Sequence, residues 1–152
     1  MELRLATNKD LIDPQVQQLM HTAVETSGDN IDVEYVLLSL DGKKTLMWVV
    51  EGRKGKGVIF TTILQYGKSY ALLIWLTAGN TGLMTSKPLQ EALEDVARRS
   101  GCSEVTAVVT NEKLLKHLTT RLGYKTAGVV VRKEISNVGT DTSAEHIDHH
   151  LN

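Results

Sequence analysis

The chain has 152 residues, 41% of them hydrophobic, with 17 basic and 18 acidic side chains and a net charge of −1. These values predict one domain with a real hydrophobic core, and they exclude a disordered chain and the strong positive excess of a nucleic-acid-binding protein. The single cysteine, Cys102, excludes an internal disulfide and a multi-cysteine zinc site. No apolar run reaches the roughly 20 residues that span a bilayer, and no signal peptide is evident. We therefore expect a soluble protein of the intracellular type.

The first third of the chain predicts one strand and two helices. Residues 1–6 alternate apolar and polar side chains, which is typical of a strand. Asp13 and Pro14 then open a helix, because aspartate caps a helix and proline at the first position loses no hydrogen bond. A second helix is predicted over residues 31–40. Its apolar spacing is ambiguous, so a strand over residues 33–40 stays open as the alternative.

The middle of the chain predicts an antiparallel meander of three strands. Turn-rich segments at 52–57 and 66–68 separate them. The predicted strands cover residues 45–50, 58–66 and 69–77. Residues 71–76 are nearly continuous in apolar character, which indicates a central strand covered on both faces.

The remaining elements alternate between helix and strand. We predict a loop over 78–87, a helix over 88–100, a strand over 104–109, a helix capped by Asn111, and a last strand over 124–135. A helix that joins two apolar strands is the βαβ arrangement, so strands 69–77 and 104–109 are predicted to be parallel neighbours. The periodic apolar faces predict a core that includes Leu5, Leu19, Leu73, Trp75, Leu93, Val96, Val108, Leu115, Leu118 and Leu122.

This order predicts an α/β (α+β) fold: a mixed central sheet with helices on both faces, in which an antiparallel meander is followed by β-α-β-α-β. Three segments resemble the GNAT family of N-acetyltransferases. Residues 3–10 resemble its first strand with the ending Arg-x-Ala-x-x-x-Asp, residues 89–109 its central helix and following strand, and residues 111–124 its last helix with a Gly-aromatic stop. The resemblance covers residues 1–135, which it implies form a GNAT-like domain.

The family binds the acetyl-CoA pyrophosphate at an Arg/Gln-x-x-Gly-x-Gly/Ala turn, where backbone N–H groups approach the phosphates. Here Gly79 and Gly82 occupy that position, but the Arg/Gln and the tight glycine pair are absent, and Pro88 removes an amide donor nearby. The resemblance makes Gly79, Gly82 and Asn111 the cofactor-binding candidates, with Asn111 near the pantetheine arm. The position of the usual tyrosine acid holds Thr119, which is a poor acid for a thiolate.

Two main hypotheses for function follow. The first is a GNAT-like protein that has lost catalysis, expects no cofactor, and acts in a bacteriophage virion or its assembly through protein–protein contacts. It rests on a resemblance to small GNAT-like proteins of tailed bacteriophages, in the strand end 75–79 and the helix end 97–102. The alternative is an acetyl-CoA-dependent N-acetyltransferase with an atypical pyrophosphate loop. The first predicts a location in the virion or host cytoplasm, the second in the cytoplasm. A plain binding module is a third possibility.

Other motifs favour structural interpretations. The segment 52–57 looks like a phosphate loop, but Val58 follows where Lys-Ser/Thr is needed and a strand follows where a helix is needed, so a basic hairpin turn is the better interpretation. Cys102 is expected to be a small buried thiol rather than a nucleophile. We expect His21 and His117 to be polar-face or boundary residues of helices, without a catalytic role.

The last segment, residues 136–152, is polar and is predicted to be a tail. A short helix there would place Ile147 and Leu151 on one face, but it would be too short to be stable alone. We therefore expect other protein subunits of an assembly to hold it. His146, His149 and His150 could bind a transition metal, but without a companion Cys or a second His pair we expect no metal site.

Overall fold

The computed structural model describes residues 1–135, which form a five-stranded sheet with helices on both faces. The strand order in the sheet follows the sequence. The first three pairings are antiparallel, and β4 and β5 run parallel. The predicted meander and the predicted parallel pair are therefore confirmed. The strands are β1 (Glu2–Leu5), β2 (Thr45–Gly52), β3 (Gly55–Tyr66), β4 (Ser69–Gly79) and β5 (Glu104–Ala107).

The first long helix begins at its predicted cap. The carboxylate of Asp13 accepts a hydrogen bond from the amide of Gln15 at 2.8 Å. The segment after residue 31 is a helix and not the alternative strand, and Asp32 caps it through the amide of Tyr35. Two four-residue helices were not predicted, because one turn is too short to show periodicity. The helices are α1 (Asn8–Leu11), α2 (Pro14–Thr26), α3 (Val33–Asp41), α4 (Thr81–Met84), α5 (Lys87–Arg99) and α6 (Glu112–Arg121).

The sheet is buried on both faces in its centre. Helices α2 and α3 cover one face, where Val16 packs in the cluster that contains Phe60. Helices α4 and α5 cover the other face, where Leu93 packs in the cluster that contains Ile59. Because successive side chains of a strand point to opposite faces, the neighbours Ile59 and Phe60 belong to different cores. The continuous apolar run of the central strands is explained in this way.

A β-bulge in strand β4 changes which face of the sheet the following side chains point to. Phe60 pairs with Leu76, whereas the next residue of β3 pairs with Ile74, so Trp75 is an extra residue in β4. Before the bulge, Leu72 and Ile74 pack on the α5 side of the sheet. After it, Leu76 packs on the α2 side. The bulge therefore exchanges the two faces of the strand, which strict alternation would not predict.

The predicted last strand over 124–135 is wrong. Within the described residues nothing after α6 is a strand, and the outer edge of β5 carries no partner. Val129 and Val131 are 85% and 87% exposed in consequence. A β-branched run predicts a strand only when a partner edge and a covering layer meet it, and here neither does.

The predicted core is confirmed in part. Leu93 and Val96 are buried, while Leu19, Leu73, Trp75, Leu118 and Leu122 are half-buried. Three assignments are wrong, since Leu5, Val108 and Leu115 are exposed. Leu5 ends an edge strand, and Val108 follows the end of β5. Helix α6 buries no residue fully, because no element packs over its apolar stripe in the described part of the chain.

A buried carboxylate joins β1 to the first helices. Asp10 accepts two hydrogen bonds from the guanidinium of Arg4, at 2.7 and 3.0 Å, and one from the amide of Thr7 at 2.7 Å. Arg4 also binds Glu51 of β2 at 3.0 Å. These contacts hold the pKa of Asp10 far below its usual range and raise the pKa of Arg4. The Arg and Asp of the opening motif are thus one structural pair.

The Asp10 carboxylate should make stability fall in acid. Its folded-state pKa is depressed, so its stabilisation is complete above the unfolded pKa of about 3.9 and is lost as the pH falls toward the folded value. Asp10→Asn should lower the free energy of unfolding by about 1–3 kcal/mol near pH 6. Urea titrations from about pH 6 to about pH 3 should show the two proteins converging. A difference in unfolding free energy between wild type and Asp10→Asn that stays constant with pH would contradict this role of the Asp10 carboxylate.

A pair of leucines tests the packing assignment. Leu93 is 3% exposed and Leu115 is 39% exposed. Leu93→Ala should therefore cost about 2–5 kcal/mol of stability, because it leaves a cavity under α5. Leu115→Ala serves as the matched control and should cost less than about 1 kcal/mol. Equal losses in urea unfolding would show that α6 is covered in solution.

Candidate functional site

Strand β5 pairs with only the first part of strand β4. They pair only where Ala71–Ile74 meet Glu104–Ala107. Strand β4 then continues to Gly79, while β5 stops at Ala107. The β5-facing edge of residues 75–79 therefore has no strand partner within residues 1–135. An extended ligand with amide groups can form hydrogen bonds to such an edge, and we call this space the β4–β5 opening.

The loop after β4, residues 79–87, closes one end of the opening. Asn80 starts α4, and its Oδ1 accepts a hydrogen bond from the amide of Leu83 at 3.3 Å. Ser86 caps α5, and its Oγ accepts from the amide of Leu89 at 3.3 Å. Pro88 is the second residue of α5, so it removes one amide of the first turn, as the sequence predicts.

The glycine candidates differ in what surrounds them. Gly79 pairs with Gly57, and a Cβ at Gly79 would lie 2.8 Å from the Cα of Gly57 and 2.9 Å from the sulfur of Met84. Its φ of +155° adds strain for any other residue. Gly82 has an ordinary φ, and its Cβ would lie 3.2 Å from the Nζ of Lys54. Gly79 is thus needed for packing. At Gly82 a Cβ would also lie 3.3 Å from Oδ1 of Asn80, so a side chain there would require Lys54 and Asn80 to shift slightly.

The basic turn between β2 and β3 lies beside this loop. It is a hairpin turn, as predicted, but its position next to Gly82 was not foreseen. Gly52 approaches the loop closely, since its Cβ would lie 3.0 Å from Cδ1 of Leu83. Of the three basic residues, Lys56 forms an ion pair with Asp13 at 3.6 Å, Arg53 is exposed, and Lys54 reaches over the loop.

Asn111 lies at the same end of the sheet as Gly79, because β4 and β5 are parallel and Asn111 follows β5. Its Oδ1 caps α6 by accepting hydrogen bonds from the amides of Lys113 and Leu114, at 2.8 and 3.1 Å. Helix α6 also contacts the loop, where Nε2 of His117 lies 3.1 Å from the carbonyl oxygen of Thr85. The three cofactor-binding candidates therefore share one end of the sheet.

The position of the usual tyrosine acid offers no free proton. The hydroxyl of Thr119 donates within its own helix, to the carbonyls of Leu115 at 2.9 Å and Lys116 at 3.2 Å. Thr119 is therefore a helix-surface hydroxyl that bonds carbonyls of its own helix.

A second cleft of about 510 Å³ lies between α5, β5 and residues 122–127. It contains Cys102 and Tyr124, and the hydroxyl of Tyr124 donates to Oε1 of Gln90 at 3.0 Å. Burial raises the pKa of both the Cys102 thiol and the Tyr124 phenol. A raised thiol pKa lowers the thiolate fraction, so Cys102 is the buried thiol that the sequence predicts.

Comparison with known proteins identifies the fold. No family model matches the sequence, and no curated protein matches it. Solved structures do match: an acetyltransferase from Trypanosoma brucei has a TM-score of 0.58 and 17% identity, covering 88% of this chain and 99% of its own. A glucosamine-6-phosphate N-acetyltransferase from Arabidopsis thaliana has a TM-score of 0.61 and 14% identity, covering 88% and 97%. The chain has the GNAT fold.

One further matching structure was solved with acetyl-CoA. A predicted acetyltransferase from Clostridium acetobutylicum, solved with acetyl-CoA, has a TM-score of 0.61 and 12% identity, covering 88% of this chain and 95% of its own. At these identities the likeness shows the GNAT fold and leaves the activity to be tested. These matches give no support to the expected bacteriophage resemblance. None of the helices in the described part of the chain has the length and apolar character needed to cross a bilayer.

The two loop glycines should respond differently to alanine. Gly79→Ala should destabilise the protein by about 1–3 kcal/mol, because a methyl group there meets the backbone of Gly57 in a strained conformation. Gly82→Ala should change stability by less than about 1 kcal/mol, because the flexible end of Lys54 can move aside. Urea unfolding of both variants is the measurement. A larger loss at Gly82 than at Gly79 would contradict this difference in packing.

Proposed function

We propose that this protein is an acetyl-CoA-dependent N-acetyltransferase with an atypical pyrophosphate loop. The observation that carries the proposal is the β4–β5 opening, which ends at a loop containing Gly79 and Gly82 in a chain of GNAT fold. The unpaired edge of β4 suits the amide-containing pantetheine arm. Gly82 has no side chain to fill the loop, so the backbone can approach a phosphate closely.

The cofactor supplies a thioester-activated acetyl group, and the residues of this chain would bind and orient it. Residues 75–79 of β4 would hold the pantetheine arm, and the loop of Gly79 and Gly82 the phosphates. Asn111 stands across the opening, and its oxygen is committed to capping α6, which leaves its amide N–H groups to donate. Holding two reactants in an oriented pair can by itself lower a barrier substantially.

Proton transfer would not use the family's usual tyrosine position. Because the Thr119 hydroxyl is committed to carbonyls of its own helix, we expect water or the acceptor to protonate the departing thiolate. General acid catalysis typically contributes about 10²–10⁴-fold, so a slower enzyme is expected than one with a positioned acid.

Acetyl-CoA should bind saturably and raise the melting temperature. At about 100 times its Kd, a ligand that binds only the folded state adds about 2.7 kcal/mol of stability, a shift of several degrees for a chain of this size. Thiol release from acetyl-CoA with a panel of small amines and peptide N-termini should then detect transfer. Thermal melts with and without acetyl-CoA are the first measurement.

A glycine pair provides the control. Gly82→Val should abolish acetyl-CoA binding, because the side chain fills the loop. Gly128→Val should leave binding unchanged, since Gly128 has an ordinary φ and open space around it. No binding at millimolar acetyl-CoA would overturn the proposal. Binding without transfer to any amine would instead favour a protein that binds the cofactor but has lost catalysis.

The virion or assembly role stays a prediction. It rests on the resemblance at residues 75–79 and 97–102. The expected partner contact rests on the polar tail of residues 136–152, which lies outside the described residues together with His146, His149 and His150. Proteolysis of the free protein and of any assembly that contains it would show whether a protein partner holds the tail.

A further inference from the structure

The β2–β3 turn brings a positive charge, in addition to that of Lys87, to the loop after β4. The β2–β3 pairing ends at Gly52 and Gly55, which leaves Arg53 and Lys54 at the tip. The next pairing places Gly57 opposite Gly79. The β2–β3 turn and the carboxyl end of β4 therefore lie at the same end of the sheet, on neighbouring strands.

Lys54 is directed toward the loop. Its Nζ lies 3.2 Å, and its Cδ 3.6 Å, from the position that a Cβ on Gly82 would take. The aliphatic stem and the ammonium group therefore both lie over the loop. Within residues 1–135, Lys54 forms no ion pair with a carboxylate, whereas Lys56 is paired with Asp13. The charge of Lys54 is thus available to an anion that enters the loop.

We propose that Lys54 binds the diphosphate of coenzyme A and replaces the Arg/Gln that is absent from the loop itself. This inference rests on the proposed function, and it assigns the phosphate contact to a different element of the fold. A lysine ammonium is a compact point charge that binds phosphate without a fixed geometry, so it can act from a neighbouring turn. Because Gly82 carries no side chain, a phosphate can approach the backbone there, beside the ammonium group of Lys54.

The test compares two neighbouring charges of the same turn. Lys54→Gln should weaken acetyl-CoA binding by about tenfold or more, the size expected for loss of a charged hydrogen bond. Arg53→Gln is the matched control and should change the Kd by less than about twofold, because salt screens an exposed charge and only Lys54 lies against Gly82. Isothermal titration calorimetry of wild type and both variants, each shown by thermal melting to be folded, gives the constants.

Two further probes separate the phosphate contact from the rest of the ligand. Acetyl-pantetheine, which lacks the diphosphate, should bind wild type and Lys54→Gln equally. Inorganic pyrophosphate should shift the amide resonance of Gly82 in wild type and in Arg53→Gln, but not in Lys54→Gln. Lys54→Arg, which keeps the charge, should retain most of the acetyl-CoA affinity.

Each outcome decides one of the two proposals. An acetyl-CoA Kd that is unchanged in Lys54→Gln, or equally weakened in Arg53→Gln, overturns the role of Lys54 and leaves the acetyltransferase proposal in place. Pyrophosphate binding that depends on Lys54, in a protein that does not bind acetyl-CoA, supports the anion site and overturns the acetyltransferase proposal. Absence of any pyrophosphate effect at Gly82 overturns the role of Lys54.

Discussion

Trp75 has no partner on β3. Because of this one extra residue, the side chains in the second half of β4 point to the opposite faces of the sheet from those that strict alternation would give. Before it, even-numbered side chains face α5; after it, Leu76 and Ala78 face α2. The odd-numbered positions are exchanged in the same way, so Gly79 faces Met84 of α4. A bulge costs ladder hydrogen bonds locally, but it re-aims every residue that follows. The position of the loop at the candidate site depends on that change of face.

The position of the loop also depends on the close approach of β3 and β4 at Gly57 and Gly79. Gly57 and Gly79 are paired, and Met84 packs over both, so the β2–β3 turn and the loop after β4 are held together by backbone contact. A side chain at Gly79 would push these strands apart. The basic turn is therefore a fixed neighbour of the loop, and Lys54 can contribute a charge from outside the usual motif.

The two edge strands of the sheet, β1 and β5, differ in the contacts that stabilise them. At β1, the Arg4 guanidinium joins the buried Asp10 to Glu51 of β2, which fixes the edge through charged hydrogen bonds. At β5, the outer edge is unpaired in the described residues, and the valines after α6 are exposed. Exposed apolar segments beside an open edge are unusual in monomers. Within residues 1–135, the segment after α6 is accordingly poorly packed.

The sequence by itself determined the elements whose causes are local. Asp13 and Asn111 cap helices because their side chains accept hydrogen bonds from amides two or three residues ahead, and β-branched runs with short turns predicted the meander. The candidates Gly79, Gly82 and Asn111 came instead from the resemblance to the GNAT family. Tertiary structure decided what depends on distant residues: which apolar stripes are covered, where β4 is bulged, and which charge stands beside Gly82. Lys54 is 28 residues from Gly82 in the chain, and only strand register brings them together.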